Sequence, residues 1–176
     1  MDIQKAKEKL LTVNKDNKYE TMITTAAIIT KLLEPQGIKP IIVGGLSVEI
    51  YTQREYTTRD IDFVSDGRAM IEEVLFSLEF VKEGRHYYNL ELEVAIEIPD
   101  NYLEGDINKI AKVDIGNDLY IYLISLEDII LDRLRAAVHW RSEEDSIWGF
   151  TLLVQNIESI NTEYLLEKVV GNKRSG

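Results

Sequence analysis

Apolar positions in this chain repeat with two periods, one helical and one of two residues, and the switches between them mark the elements. Ile3, Ala6, Leu10 and Val13 fall at helical spacing, so residues 2–13 read as a short amphipathic helix. After a polar break at 14–17, Tyr19, Met22, Ile23, Ala26, Ile29 and Leu33 mark a stronger helix that Pro35 and Gly37 stop. An apolar run at 41–43 reads as a strand ending at Gly44-Gly45, and residues 46–51 as a helix opening on the two glycines. Residues 60–64 form a second strand, followed by the turn Ser65-Asp66-Gly67 and a helix carrying Ala69, Met70, Val74, Leu75 and Leu78. A brief strand at 80–82 meets the charged turn Glu83-Gly84-Arg85.

From Tyr88 the pattern becomes a strict alternation. Leu90, Leu92, Val94, Ile96 and Ile98 interleave with Glu91, Glu93, Ala95 and Glu97, which predicts one strand with an apolar face and a carboxylate face. Residues 99–109 read as a loop, and 110–115 and 119–124 as two strands joined by the hairpin turn Gly116-Asn117-Asp118. Ser125 caps the next helix, with Asp128 as its capping-box partner and Leu126, Ile129, Ile130, Leu134, Ala137 and Val138 as its core stripe. A helical region from Ser142 carries Ile147, Phe150, Leu153 and Val154. A last helix, 162–170, precedes the polar tail 171–176, expected to fray. Trp140, Trp148 and Phe150 can form either an exposed patch for a protein partner or part of the core. The sum is an α/β (α+β) chain with a mixed sheet flanked by helices. Residues 1–124 read as the core with its N-terminal helices, and 125–176 as a C-terminal helical region packed on it.

Composition narrows the chemistry. The chain has 176 residues, is 45% hydrophobic and contains no cysteine, so it can bury a core and has neither disulfides nor a Cys-based zinc site. No apolar run reaches the length of a membrane span, and the charged, amphipathic N-terminus is unlike a signal peptide, so a soluble cytoplasmic domain is expected. The net charge of −11 opposes broad nucleic-acid binding. His86 and His139 lie in unrelated segments without metal-ligand spacing, and there is no GxSxG elbow.

What stands out is 43–64, VGGLSVEIYTQREYTTRDIDFV. Paired glycines at a strand end let bare N–H groups approach an anion. Asp60 and Asp62, two apart on a strand, leave by one face, where two carboxylates repel unless a cation sits between them; hard oxygen ligands suit Mg²⁺. A phosphate cradle beside a Mg²⁺ clamp is equipment for chemistry on a nucleoside triphosphate.

Val43-Gly44-Gly45 followed by Asp60-Ile61-Asp62-Phe63 resembles the hG[GS]…Dh[DE]h signature of nucleotidyltransferases of the DNA polymerase β superfamily, particularly small prokaryotic members, some of them partners in toxin–antitoxin pairs. Thr58-Arg59-Asp60 matches the approach to the second motif, with Tyr56 where an arginine would stand. The resemblance implies a nucleotidyltransferase fold and a third carboxylate on a neighbouring strand. Glu93 is the choice for it, with Glu91 and Glu97 on the same face left open. Asp60, Asp62 and Glu93 would then hold Mg²⁺, and Gly44, Gly45 and Ser47 the triphosphate. Arg59 becomes a triphosphate contact or a partner of Glu55. SLEDIILDRL resembles the family helix that aims a basic residue, usually Lys, into the site; Arg133 occupies that place, with Asp145 as the acidic residue that follows. The implied reaction moves a nucleoside monophosphate from a nucleoside triphosphate to a hydroxyl of a small molecule, protein or RNA end, with release of pyrophosphate. The alternatives are a binding or regulatory protein on the same fold, such as one half of a toxin–antitoxin pair, and a scaffold subunit in which the glycines and acids are incidental.

Overall fold

The computed structural model of the chain describes residues 1–171; the rest of the tail expected to fray, 172–176, lies outside the described residues. Helices α1 (Ile3–Leu11) and α2 (Lys18–Leu33) come first, capped by the Asp2 and Asn17 side chains. Then follow β1 (Ile41–Val43), α3 (Gly44–Tyr51), β2 (Asp60–Val64), α4 (Arg68–Ser77), β3 (Val81–Glu83), β4 (His86–Asn89) and β5 (Val94–Asp100). The chain continues through β6 (Ala111–Gly116), β7 (Leu119–Leu123), α5 (Leu126–Trp140), α6 (Glu143–Gln155) and α7 (Thr162–Gly171). The strands form one mixed sheet in the order β3-β4-β5-β2-β1-β7-β6. β1 pairs parallel with β7 and β2 parallel with β5, while the remaining neighbours are antiparallel. Among the described residues, no helix is long and apolar enough to cross a membrane.

Period-two side-chain alternation gives the sheet its two characters. Ile42, Ile61, Phe63, Val94, Ile96 and Ile121 point to one face and bury against α1, α2 and α4. On the other face a smaller cluster forms around Ile41, Val48, Ile129, Ile130 and Leu152, under α3, α5 and α6. Asp60, Asp62 and Glu97 also belong to positions that alternate away from the first cluster. The central strands therefore present carboxylates where the second cluster stops.

One predicted element divides. The continuous strand read from Tyr88 to Pro99 is a hairpin, β4 turning into β5. Asn89 makes the turn: its Oδ1 accepts from the Leu92 N–H at 3.0 Å and its Nδ2 donates to the Leu78 carbonyl at 3.1 Å. Glu93 completes the reversal in the left-handed region, at φ 53°. Alternation continues straight through because Leu92 still folds inward, so the pattern hides the turn. The core stripe assigned to α5 also loses its last member, since Val138 is exposed.

The C-terminal helices are tied to the loop after β5 by Asp128, which is buried. The Ser125 hydroxyl caps its backbone N–H at 3.2 Å, but the carboxylate does not return to the cap. It accepts from the Asp106 N–H at 2.9 Å and from the Tyr164 hydroxyl at 2.6 Å, pinning the 101–109 loop and α7 together. Asp128→Ala is expected to destabilise the protein by roughly 3 kcal/mol, because two donors lose a buried charged acceptor. Chemical denaturation measures that loss, and hydrogen exchange at 101–109 should report the loop coming free.

Candidate active site

β1 ends at Gly44, whose φ of 61° lies in the left-handed region. A Cβ there would enter the Asp62 carboxylate, and one on Gly45 would come within 2.7 Å of Thr58 Oγ1, so both backbones pass closer to neighbours than a side chain allows. α3 starts immediately, and Val43 gives it no side-chain cap. Its first amides are thus left without a capping side chain at the positive end of the helix dipole, where an anion fits.

Strand register brings the acids to this turn. Asp62 pairs with Val43 on one side and with Glu97 on the other, and Asp60 lies two residues back on the same face. Burial pushes the Asp62 carboxyl up to about 7, and the charges of Asp60 and Glu97 add to the effect. Asp60 is steadied by the Thr58 hydroxyl, which donates to Oδ1 at 3.1 Å. The Thr58 N–H in turn donates to Glu49 at 3.0 Å. Glu49 is itself buried, and burial raises its carboxyl. A lone carboxylate inside the otherwise uncharged stretch 46–51 is the sequence signal for this support.

Arg133 reaches in from α5. Its Nη1 donates to Asp145 of α6 at 3.0 Å, and its Nε and Nη2 bind Asp132 at 3.0 and 2.6 Å. With Gly44, Asp62, Glu97, Asp100 and Glu104 it lines a cleft of about 310 Å³, walled further by Tyr102 and Leu103 of the loop that Asp128 anchors. Tyr56, standing where an arginine was expected, packs edge-on against Trp148 of α6 at 5.1 Å between ring centres.

Not every predicted residue joins the site. Glu93 sits in the β4–β5 turn, exposed, with its charge close to Lys18. Glu91 is exposed on the same turn, where Lys15 pairs with it at 3.1 Å. Glu97 is the glutamate in register with Asp62. Its carboxylate is held by Arg85 at 3.1 Å and His86 at 3.2 Å, and among the described residues no three acidic or histidine side chains close around one point as metal ligands would. Ser47 is buried and its hydroxyl donates to the Gly44 carbonyl at 2.6 Å, so it braces the turn from behind. Arg59 is exposed, and Glu55 accepts from Gln155 rather than pairing with it.

The model of a family described as "Nucleotidyltransferase of unknown function (DUF6036)" matches residues 20–148, a stretch containing both glycines, both aspartates, Glu97 and Arg133. The chain belongs to that family. None of the curated proteins matches it in sequence. Among solved structures, this nucleotidyltransferase family member is similar to the antibiotic-resistance factor ANT(2'')-Ia. Its solution structure aligns with a TM-score of 0.55 and 15% identity, covering 99% of this chain and 96% of that one. The crystal structure of ANT(2'')-Ia in complex with adenylyl-2''-tobramycin gives 0.57 and 14%, covering 84% and 95%. An antigenic nucleotidyltransferase-like protein from Paracoccidioides brasiliensis gives 0.58 and 16%, covering 92% and 91%. At such identities the likeness is one of fold.

Proposed function

We propose that this protein transfers a nucleoside monophosphate from a nucleoside triphosphate to a hydroxyl acceptor, releasing pyrophosphate, with Mg²⁺ held by Asp60, Asp62 and Glu97. The observation that carries the reading is the position of Asp62. Its carboxylate lies against the Gly44 backbone at the uncapped start of α3, in register with Glu97 and beside Asp60. Asp62, Glu97 and the Gly44 backbone thus open into the cleft that Arg133 lines, with Asp60 two residues back along β2.

The donor set fits a hard divalent cation. It is all carboxylate oxygen; burial chiefly raises Asp62 toward 7, and the repulsion from Asp60 and Glu97 that adds to it is what such a cation would relieve. Glu97 would turn from Arg85 and His86 to complete the set. Bound there, Mg²⁺ supplies charge neutralisation for the triphosphate and a more acidic acceptor hydroxyl. The first amides of α3 donate to phosphate oxygens, and Arg133 offers a guanidinium from the opposite wall. The acceptor oxygen forms a bond to the α-phosphorus as the bond to pyrophosphate breaks, and the acceptor's proton is lost to water. Positioning and electrostatics supply the acceleration, so no side-chain nucleophile is required. A small hydroxylated acceptor is supported by one of the similar structures, which holds adenylyl-2''-tobramycin.

The test is pyrophosphate release from each ribonucleoside triphosphate with Mg²⁺ and a panel of hydroxylated acceptors. Glu97→Gln is expected to lose at least about a thousand-fold in rate, the scale of a lost metal carboxylate, while Glu93→Gln stays within about twofold. The reverse order would refute the assignment of Glu97. A second reading draws on the ion pairs that already engage Glu97 and Arg133: a fold that binds nucleotide without turnover, as a regulatory protein or one half of a toxin–antitoxin pair would. Mg²⁺-dependent binding without pyrophosphate release selects it.

A further inference from the structure

α6 is apolar on both sides. Its inner side packs Trp148, Gly149 and Leu152 toward the body of the protein, while its outer side presents Ile147, Phe150 and Val154, with Ile157 in the turn just beyond. A helix that is hydrophobic all round is normally covered all round. These four, together with Val138 and Trp140 at the C-terminal end of α5, are 55–82% exposed. Six large side chains at that exposure offer on the order of 600 Å² per copy, so that a pair would bury about 1,200 Å², the lower edge of a stable specific interface.

Two features identify the occupant. The outer positions 147, 150 and 154 are spaced three and four along α6, the seam that accepts another helix, and Ile157 in the turn beyond extends the row so that its order reads the same from either end. Two copies related by a twofold axis near Leu152, with their α6 helices antiparallel, set Ile147 against Ile157 and Phe150 against Val154. In addition, residues 146–157 contain no charged side chain in a chain that is 29% charged, so the paired seams juxtapose no like charges despite the net −11 of each copy. A partner chosen by charge would meet nothing complementary there. We infer that this face is the interface of an antiparallel, isologous homodimer built on α6. α6 also carries Asp145 and Trp148, so the dimer would brace the helix that holds Arg133 and Tyr56. The inference stands independently of whether the cleft transfers nucleotides.

Sedimentation equilibrium on the full chain, over a range of about 1 to about 200 µM, tests it by mass action. The expected species is twice the 20.2 kDa of one chain. Phe150→Glu, at an exposed position, should weaken dimerisation by roughly a thousand-fold because both copies lose an anchor, with helical circular dichroism unchanged. Val154→Lys is the independent second variant. Because the chain has no cysteine, Phe150→Cys combined with Val154→Cys allows a direct reading of the pairing. Cross-links that stop at two chains support a closed, isologous pair, and ladders of higher species overturn it. A monomer across the whole range, or a dimer indifferent to both charged variants, overturns the inference and assigns the face to a different protein.

Discussion

Asp62→Asn is expected to give a protein that is more stable than its parent at pH 8 without metal, yet at least about a thousand-fold slower in nucleotidyl transfer. The two effects share a cause. In the folded chain the Asp62 carboxyl titrates near 7 against the usual 3.8, chiefly because it is buried and then because Asp60 and Glu97 lie beside it. A raised carboxyl pKa means that the folded state holds a proton the unfolded chain has already released. Parent stability therefore falls as pH rises from about 4 to about 7 and is level above that. Asparagine carries no charge and has no such slope. The gap between 3.8 and about 7 corresponds to roughly 2 to 4 kcal/mol at pH 8 after allowance for partial solvent screening, or roughly 5–10 °C in Tm for a chain of this size. Thermal melts from pH 4 to 8 in the presence of a chelator measure it. Superimposable pH profiles for parent and variant would show that neither burial nor its neighbours raise this carboxyl. Added Mg²⁺ should raise the parent's Tm and leave the variant's almost unchanged.

Gly44→Ala is the second large effect. Alanine at φ 61° is strained by about 1 kcal/mol from conformation alone, and its methyl would also displace the Asp62 carboxylate. Gly84 provides the control: its φ is also 61°, but a Cβ there meets nothing within 4 Å. Gly84→Ala should therefore lose about 1 kcal/mol, whereas Gly44→Ala should lose roughly 3 kcal/mol and its Mg²⁺-dependent nucleotide binding. Equal losses from the two substitutions, read by denaturant titration, would mean that the turn at β1 is ordinary and not a cradle.

Periodicity determined most of the architecture. The helical stripes of α2 and α5 and the short apolar runs of β1, β2 and β7 are each local consequences of which side chains must face a core, and they are legible without the fold. So is the order of the two motifs: Gly44-Gly45 at one strand end, and Asp60 and Asp62 on one face of the next strand. Which glutamate stands beside the two aspartates was decided elsewhere. Alternation from Leu90 to Ile98 places Glu91, Glu93 and Glu97 on an equal footing, but the Asn89 side chain closes a turn inside that pattern, and the pairing of β5 with β2 brings only Glu97 level with Asp62. Register is a relation between two strands that no single strand encodes. The same holds for Ser47, which faces inward because α3 begins at Gly44, and for Arg133, whose placement depends on the packing of α5 against α6 and on the carboxylates of Asp132 and Asp145. Spacing along the chain states what each residue can do, and tertiary packing selects which of them meet, because electrostatic and hydrogen-bond energies act over a few ångströms of space irrespective of distance in sequence.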